Sequence, residues 1–416
     1  MARRITAIAF IFVCTTIAWM VLGSTLFIRS NTADSMLRGR VQSTWGAAHE
    51  QFPPSATWEE PSTTTETVTE NGRLVTRTSP HSTSVPLPLE QSRIQVNLQL
   101  QHRQKGLRWF STYGVDFDGR YTFRNPGDQP REVRFALRFP TQQALYDNLT
   151  FTVDGAPIAR VSSRDTLRGT ATVPAGGTAV LRVGYRSQGL DSWSYRFGGD
   201  VAEARDFDLR MRTNFAAVDF PDNSLSPTAK VRQGDGWDLT WSYRSLLSGF
   251  RIAMVMPEHV QPGPLAARIS YFAPVSLFFF FFLMWILTTL RRIELHPMNY
   301  FFLAAAFFAF HLLLAYLVDH VSIHVAFVLA SIVSIALVVS YLRIVIGARF
   351  AIVEAGLAQL LYLVLFSYAF FFEGWTGLTV TIGAILTLFL IMQMTARIKW
   401  AEAFSPTPGI PAAAPR

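Results

Sequence analysis

The sequence predicts a membrane α-helical bundle of six transmembrane helices carrying a large external all-β domain of the β-sandwich type. Three observations predict it. Six apolar runs with few charges match the roughly 20 residues that a helix needs to cross the hydrocarbon of a bilayer. The polar insert between the first and second runs, residues 29–268, alternates apolar and polar residues with the period of a strand. The short loops between the later runs alternate in charge, as crossings of a membrane require.

Composition agrees. The 50% hydrophobic content averages a polar insert with a Phe-rich last third, where Phe278–Phe282 is unbroken. The formal charge of +8 does not point to nucleic acid, because much of the excess is Arg and Lys at span ends. The one cysteine, Cys14, excludes a disulfide within the chain. It is no lipidation site either, since Ile11-Phe12-Val13 precedes it in place of small residues.

The first run, Ile5–Ile28, follows Arg3 and Arg4 and is too long for the apolar region of a removable signal, so it reads as an uncleaved signal-anchor. Asn31–Gln51 reads as a short helical stalk ended by Pro53 and Pro54. Residues 61–92 are rich in Thr, Ser and Pro. Within them Asn71-Gly72, flanked by Thr67-Val68-Thr69 and Leu74-Val75-Thr76, signals a hairpin; a linker without structure is the alternative. From there the strand pattern is plain. Ile94, Val96, Leu98 and Leu100 alternate with polar residues, as do Val133, Phe135, Leu137 and Phe139, and then Phe207, Leu209 and Met211. Turn residues fall between: Asn125-Pro126-Gly127-Asp128, Asp154-Gly155, Gly176-Gly177 and Gly234-Asp235-Gly236. Pro257, Pro262 and Pro264 make a stiff exit. The remaining spans are expected near Ile269–Leu290, Met298–Val318, Val321–Leu342, Phe350–Phe372 and Thr376–Ala396. The expected organisation is an anchor (1–28), a stalk with the Thr/Ser/Pro-rich segment (29–92), a β domain (93–262), a five-helix bundle (263–400) and a disordered tail (401–416).

Arg3 and Arg4, then Arg291 and Arg292, then Arg343 and Arg349, then Arg397 and Lys399 fall on one side of the membrane; Asp319 and Glu373 fall on the other. Cationic short loops stay in the cytoplasm. Both termini are then expected in the cytoplasm, and residues 29–268 outside it.

Chemistry-bearing residues are sparse. The insert has no nucleophile elbow, zinc-binding helix, cysteine pair or phosphate loop. His49, His81, His102 and His259 stand singly and read as surface or satisfied histidines. Asp116 and Asp118 share one strand face, which reads as solvated more readily than as a cation site. Asn148-Leu149-Thr150 fits a glycosylation sequon, a pattern that commonly arises by chance. No catalytic, cofactor or metal residue is assigned. In the bundle, His311, Asp319, His320 and His324 form a candidate polar or relay cluster, because ionisable groups in a membrane point to function. His311 and Asp319 lie within about 80° of one helix face, and His320 and His324 have the i, i+4 spacing of a metal pair if helical. The bland account competes: Asp319 caps a turn, His320 and His324 sit in the wet interface, and His311 bonds to a neighbouring helix. Glu354 and Tyr362 are a second polar point, and Gln359 and Gln393 are expected hydrogen-bond partners between helices.

Three stretches carry a resemblance. Arg291-Arg292-Ile293-Glu294-Leu295-His296-Pro297-Met298-Asn299-Tyr300 resembles the loop that introduces the hydrophobic bundle in the CreD inner-membrane proteins of bacteria. Leu317-Val318-Asp319-His320-Val321-Ser322 is similar to an acidic-His turn between two spans of that family, and Thr395-Ala396-Arg397-Ile398-Lys399-Trp400 resembles its close, with Lys399 where the family has an acid. His296, Pro297, Tyr300, Asp319, His320, Arg397 and Trp400 are the motif positions. The resemblance covers residues 269–400 and the general layout. It implies a role in cell-envelope integrity, tolerance of colicin-type toxins and response to envelope stress, with no catalytic mechanism to carry over.

The expected function is therefore a non-enzymatic protein of the bacterial inner membrane. Its β domain would bind an envelope protein or cell-wall partner, with no nucleic-acid partner and no cofactor. The alternatives are a small permease or proton-coupled channel using the His/Asp cluster, and a stress sensor acting through a partner. The absence of inverted repeats and of paired broken helices speaks against transport. The sequence leaves the oligomeric state open.

Overall fold

A computed structural model of the chain describes residues 2–70, 73–105, 108–199, 202–372 and 374–396. They form two compact units, Met1–Asp34 with Val260–Arg416, and Ser35–His259.

Among the described residues six helices are long and apolar enough to span a bilayer. The first, Ala2–Trp45, runs 44 residues without a break, and its last part belongs to the β unit. The expected stalk is thus a continuation of the first helix. It stops at Gly46 rather than at Pro53 and Pro54. Gly46 has a φ of 97°, and a side chain there would collide with the Gln188 carbonyl, so only glycine makes this stop. The second helix is Pro262–Leu290, the third Pro297–Leu317 and the fourth Ile323–Val345. The third starts cleanly: His296 caps it by accepting the Met298 N–H at 3.3 Å, and Pro297 takes the first helical position, where its missing N–H costs nothing. The fourth buries Ala326, Ala330, Ser334, Val338 and Leu342, one residue every four, and the small ones let neighbouring backbones approach. Its other faces expose Val328, Leu329 and Ile332, which only a lipid solvent tolerates in such numbers. The fifth span, Phe350–Phe371, is irregular. Two π-helical turns, Phe350–Ala355 and Leu360–Leu365, flank the single α turn Gly356–Gln359. The sixth is Thr376–Thr395.

Among the described residues the β unit has three sheets. The eight-stranded sheet runs in the order β14-β15-β13-β4-β5-β11-β7-β8: Ala229–Gln233, Gly236–Ser248, Ala202–Thr213, Leu89–Lys105, Arg108–Arg124, Thr178–Leu190, Tyr146–Val153 and Ala156–Pro157. The five-stranded sheet runs β3-β2-β6-β10-β9: Arg73–Pro86, Ser55–Glu70, Arg131–Arg138, Thr166–Val173 and Arg160–Ser162. A small third sheet joins β1 (His49–Gln51), β12 (Ser192–Arg196) and β16 (Arg251–Val255). These open, sandwich-like sheets enclose a main core, and Val41, Phe110 and Leu190 form a small separate cluster. The alternating residues read from the sequence supply the main core: Ile94, Val96 and Leu98 of β4, Val133, Phe135 and Leu137 of β6, and Phe207, Leu209 and Met211 of β13 are all buried there. Turns follow turn chemistry. Asp154 (φ 51°) and Gly155 (φ 82°) both sit in the left-handed region, as a tight two-residue hairpin between β7 and β8 demands.

The Thr-rich segment is a hairpin, with β2 and β3 in register from Thr57↔Pro86 to Glu70↔Arg73. Asn71 and Gly72 between them lie outside the described residues. The foot of the hairpin joins the five-stranded sheet, since Ser55–Trp58 pair with β6. Strand structure therefore begins at His49, well before the boundary expected at residue 93. A ribbon exposed from Glu59 to Pro61 buries no face there, and so shows no apolar alternation to read.

Candidate functional site

Buried polar side chains gather in two places, one in each unit. In the bundle His311 is 1% exposed, and its Nδ1 lies 2.9 Å from the Phe307 carbonyl on its own helix. A carbonyl only accepts, so Nδ1 carries the proton and Nε2 is left as an acceptor; Nε2 is buried with no partner. Trp19 packs edge-on against His311, with ring centres 5.6 Å apart, and its indole N–H is likewise buried and unpartnered. The bond expected from His311 to a neighbouring helix is replaced by one to the preceding turn.

Asp319 lies in the turn after the third helix. It takes an ion pair from Arg29 at 3.0 Å, and Arg29 also reaches the Ala315 carbonyl at 3.4 Å. His320 ends that turn and the fourth helix starts only at Ile323, so His320 and His324 do not share the helical turn a metal pair requires. The His324 ring packs on Phe371 instead, centres 5.2 Å apart. Among the described residues no hydrogen bond links one of the four to another. Among the described residues there is no group of three or more His, Cys, Asp or Glu placed to hold a metal.

The irregular fifth span carries a further polar line. Glu354 pairs with Arg291 from the end of the second helix. Gln359, fully buried between the two π turns, donates to Ser334 Oγ at 2.8 Å, and Ser334 donates to the Ala306 carbonyl at 2.6 Å. This is the expected bond between helices. Gln393, expected to do the same, lies on an exposed face. Tyr362 donates to Thr387 Oγ1 at 3.1 Å, and its carbonyl accepts from Ser276. Of the motif positions, Tyr300 is fully buried against Phe281, and neighbouring Asn299 accepts from Tyr341 at 2.7 Å. Arg397 and Trp400 lie outside the described residues, as does the tail.

In the β unit, His49 is a satisfied core histidine. Its Nδ1 meets Tyr113 Oη at 3.0 Å and its Nε2 meets Ser187 Oγ at 2.9 Å. Tyr113 donates onward to the Ser192 carbonyl, and Tyr185 donates to Gln51. Gly189 makes room for this: a side chain there would strike both Tyr113 and His49. Burial strips water from the imidazolium and pushes the His49 pKa down to about 4, while burial raises the phenols of Tyr113 and Tyr185. A histidine beside a serine hydroxyl is the contact that activates a nucleophile. Here both are buried in the core, at 1% and 5% exposure, where no substrate arrives. Asp116 and Asp118 pair across the strand face with Arg186 and Arg182, each at 2.6 Å, which is the solvated face expected.

Residues 235–401 match the family model described as Inner membrane protein CreD. Over that stretch the chain is similar to the CreD inner-membrane proteins. The match begins in β15, earlier than the resemblance at 269–400 read from the motifs. No curated protein matches the chain. Among solved structures, a candidate nutrient binding protein from Legionella pneumophila is 12% identical, covers 47% of this chain and 74% of its own, and has a TM-score of 0.31. An M1 zinc metallopeptidase from Deinococcus radiodurans is 14% identical, with 41% of this chain and 42% of that one covered and a TM-score of 0.26. The chain thus spans well under half of the metallopeptidase, and likeness at these scores carries no argument. The Arg29–Asp319 pair was not expected from the sequence. A signal for it existed: both residues end spans on the side of the membrane that the charge pattern leaves poor in cations.

Proposed function

We propose that the chain is a non-enzymatic inner-membrane protein that supports cell-envelope integrity or the response to envelope stress, with the β unit as an interaction module outside the cytoplasm. The observation that carries this reading is how the β unit uses its reactive groups. Both nitrogens of His49 are held by core hydroxyls, and Asp116 and Asp118 are held by arginines on an open strand face. Such a surface suits recognition of an envelope protein or of cell-wall material more than turnover. The CreD match supports the membrane setting. The alternating loop charges favour cytoplasmic termini, with residues 29–268 in the periplasm.

The test is complementation of a strain lacking the protein, scored by survival of envelope-damaging detergent and colicin-type toxin. His311→Leu is expected to restore survival fully, because His311 contributes packing rather than proton transfer. Loss of survival with normal accumulation in the membrane would instead favour the relay reading. Photo-crosslinking from Leu247, exposed on the β unit, is expected to trap an envelope component in cells; capture of cytoplasmic proteins alone would contradict the orientation.

A further inference from the structure

An open cleft of about 370 Å³ runs between the first and second helices, walled by Ile5, Ala9 and Phe12 on one side and Phe278, Phe282 and Trp285 on the other. No polar surface lines it. Phe278, Phe282 and Trp285 stack one upon the next along the second helix, with ring centres 6.1 and 6.3 Å apart, and Phe12 meets Phe278 edge-on at 6.2 Å. From Trp285 to Phe278 is seven residues, about 10 Å of helix, which lies within the ~15 Å depth of one leaflet's hydrocarbon. The cleft reaches from one end of the bundle towards its middle. It offers nothing to water or to a polar solute, and a helix about 10 Å across does not fit into it.

Its mouth is cationic. Arg4 adjoins Ile5 in sequence, its Nε is buried with no hydrogen-bond partner, and it lines a second recess with Glu294, Leu295, His296 and Pro297. Arg291 is neutralised by Glu354, but Arg292 is exposed. Arg4 and Arg292, against the one carboxylate of Glu294, leave the residues that flank this end of the two helices with a net positive charge.

We propose that this cleft is a binding site for an anionic phospholipid, with one acyl chain on the Phe278–Trp285 ladder and the phosphate met by Arg4. The site stands apart from the envelope role proposed above, because it rests on the cleft and its charge alone. Partly buried arginine beside an apolar slot selects a headgroup of negative charge over a zwitterion, and one such cation near a membrane surface is worth about a fivefold preference, the equivalent of ~1 kcal/mol.

The experiment is native mass spectrometry of the full-length protein in mild detergent, loaded with equal amounts of phosphatidylglycerol and phosphatidylethanolamine of the same chain length. The wild type is expected to retain phosphatidylglycerol about fivefold over phosphatidylethanolamine. Arg4→Gln should bring the two to parity. Ala9→Leu, which fills the slot with a good helix former and leaves every charge in place, should reduce retention of both. Equal retention by the wild type, or an unchanged preference in Arg4→Gln, would overturn the proposal. So would a two-chain mass that Ala9→Leu dissolves, since a second copy of the chain would then be the occupant.

Discussion

Two fully buried histidines, one in each unit, have opposite surroundings. His49 in the β unit has a hydroxyl on each ring nitrogen. His311 in the bundle has one carbonyl and one bare nitrogen. The β unit folds out of water, so each polar group it buries must recover the hydrogen bonds it gave up. The bundle folds out of lipid, where its helices satisfy their own backbone and side-chain polar groups are held between helices one at a time. The same residue type is a fastener in one unit and a packing element with a vacant acceptor in the other.

The largest expected effect comes from the apolar core. Phe135→Ala, at a fully buried site of β6, should cost about 3–5 kcal/mol. Hydrogen exchange of the β6 amides measures it. Phe307→Ala, equally buried in the bundle, should cost less, because lipid supplies no hydrophobic drive between helices. Equal losses would erase the distinction between the units.

The next effect is acid lability of the β unit. His49 has a pKa of about 4 when folded, below its ordinary value near 6.5, so the unfolded chain takes up the proton more readily. Its contribution is complete above pH 6.5, declines as the pH falls, and is gone below about 4, a change of ~3 kcal/mol. Asp238, whose carboxyl is held below its usual range by the hydrogen bond from Arg210, loses its contribution only at lower pH, so the two windows separate. His49→Gln should flatten the stability curve between pH 6.5 and 4. A curve as steep as the wild type's would assign the lability elsewhere.

Substituting both histidines by leucine sharpens the comparison. His49→Leu strands the Ser187 hydroxyl and one bond of Tyr113 and should cost ~1–3 kcal/mol. His311→Leu removes an unpartnered acceptor and should leave the bundle's thermal midpoint level or higher. The smallest effect is at the surface: Asp118→Asn breaks an exposed pair with Arg182 and should change stability by less than ~1 kcal/mol.

The units also differ in how much of each was legible in the sequence. Span number followed from apolar length and core strands from alternation, because burial writes both patterns directly. The helix past Ile28 was read as a separate stalk and carried too far, since its polar residues carry no apolar signal and its true stop, Gly46, depends on the distant Gln188 carbonyl. The His49–Tyr113–Ser187 network joins residues 64 and 138 positions apart, and pairings at that distance leave no local trace. The π turns around Gln359 were hidden for a related reason: they shift helical register without changing composition.

From the alternating loop charges we propose that the β unit and the Arg291–His296 loop face opposite sides of the membrane. Cysteine labelling tests it most directly, because Cys14 is the only native thiol to remove. In a Cys14→Ser background, Val161→Cys, exposed on β9, should react with a membrane-impermeant maleimide in cells whose outer membrane has been made permeable. Glu294→Cys, exposed in the loop before the third helix, should react only after the inner membrane is lysed. Labelling of both before lysis, or of neither, would contradict the account.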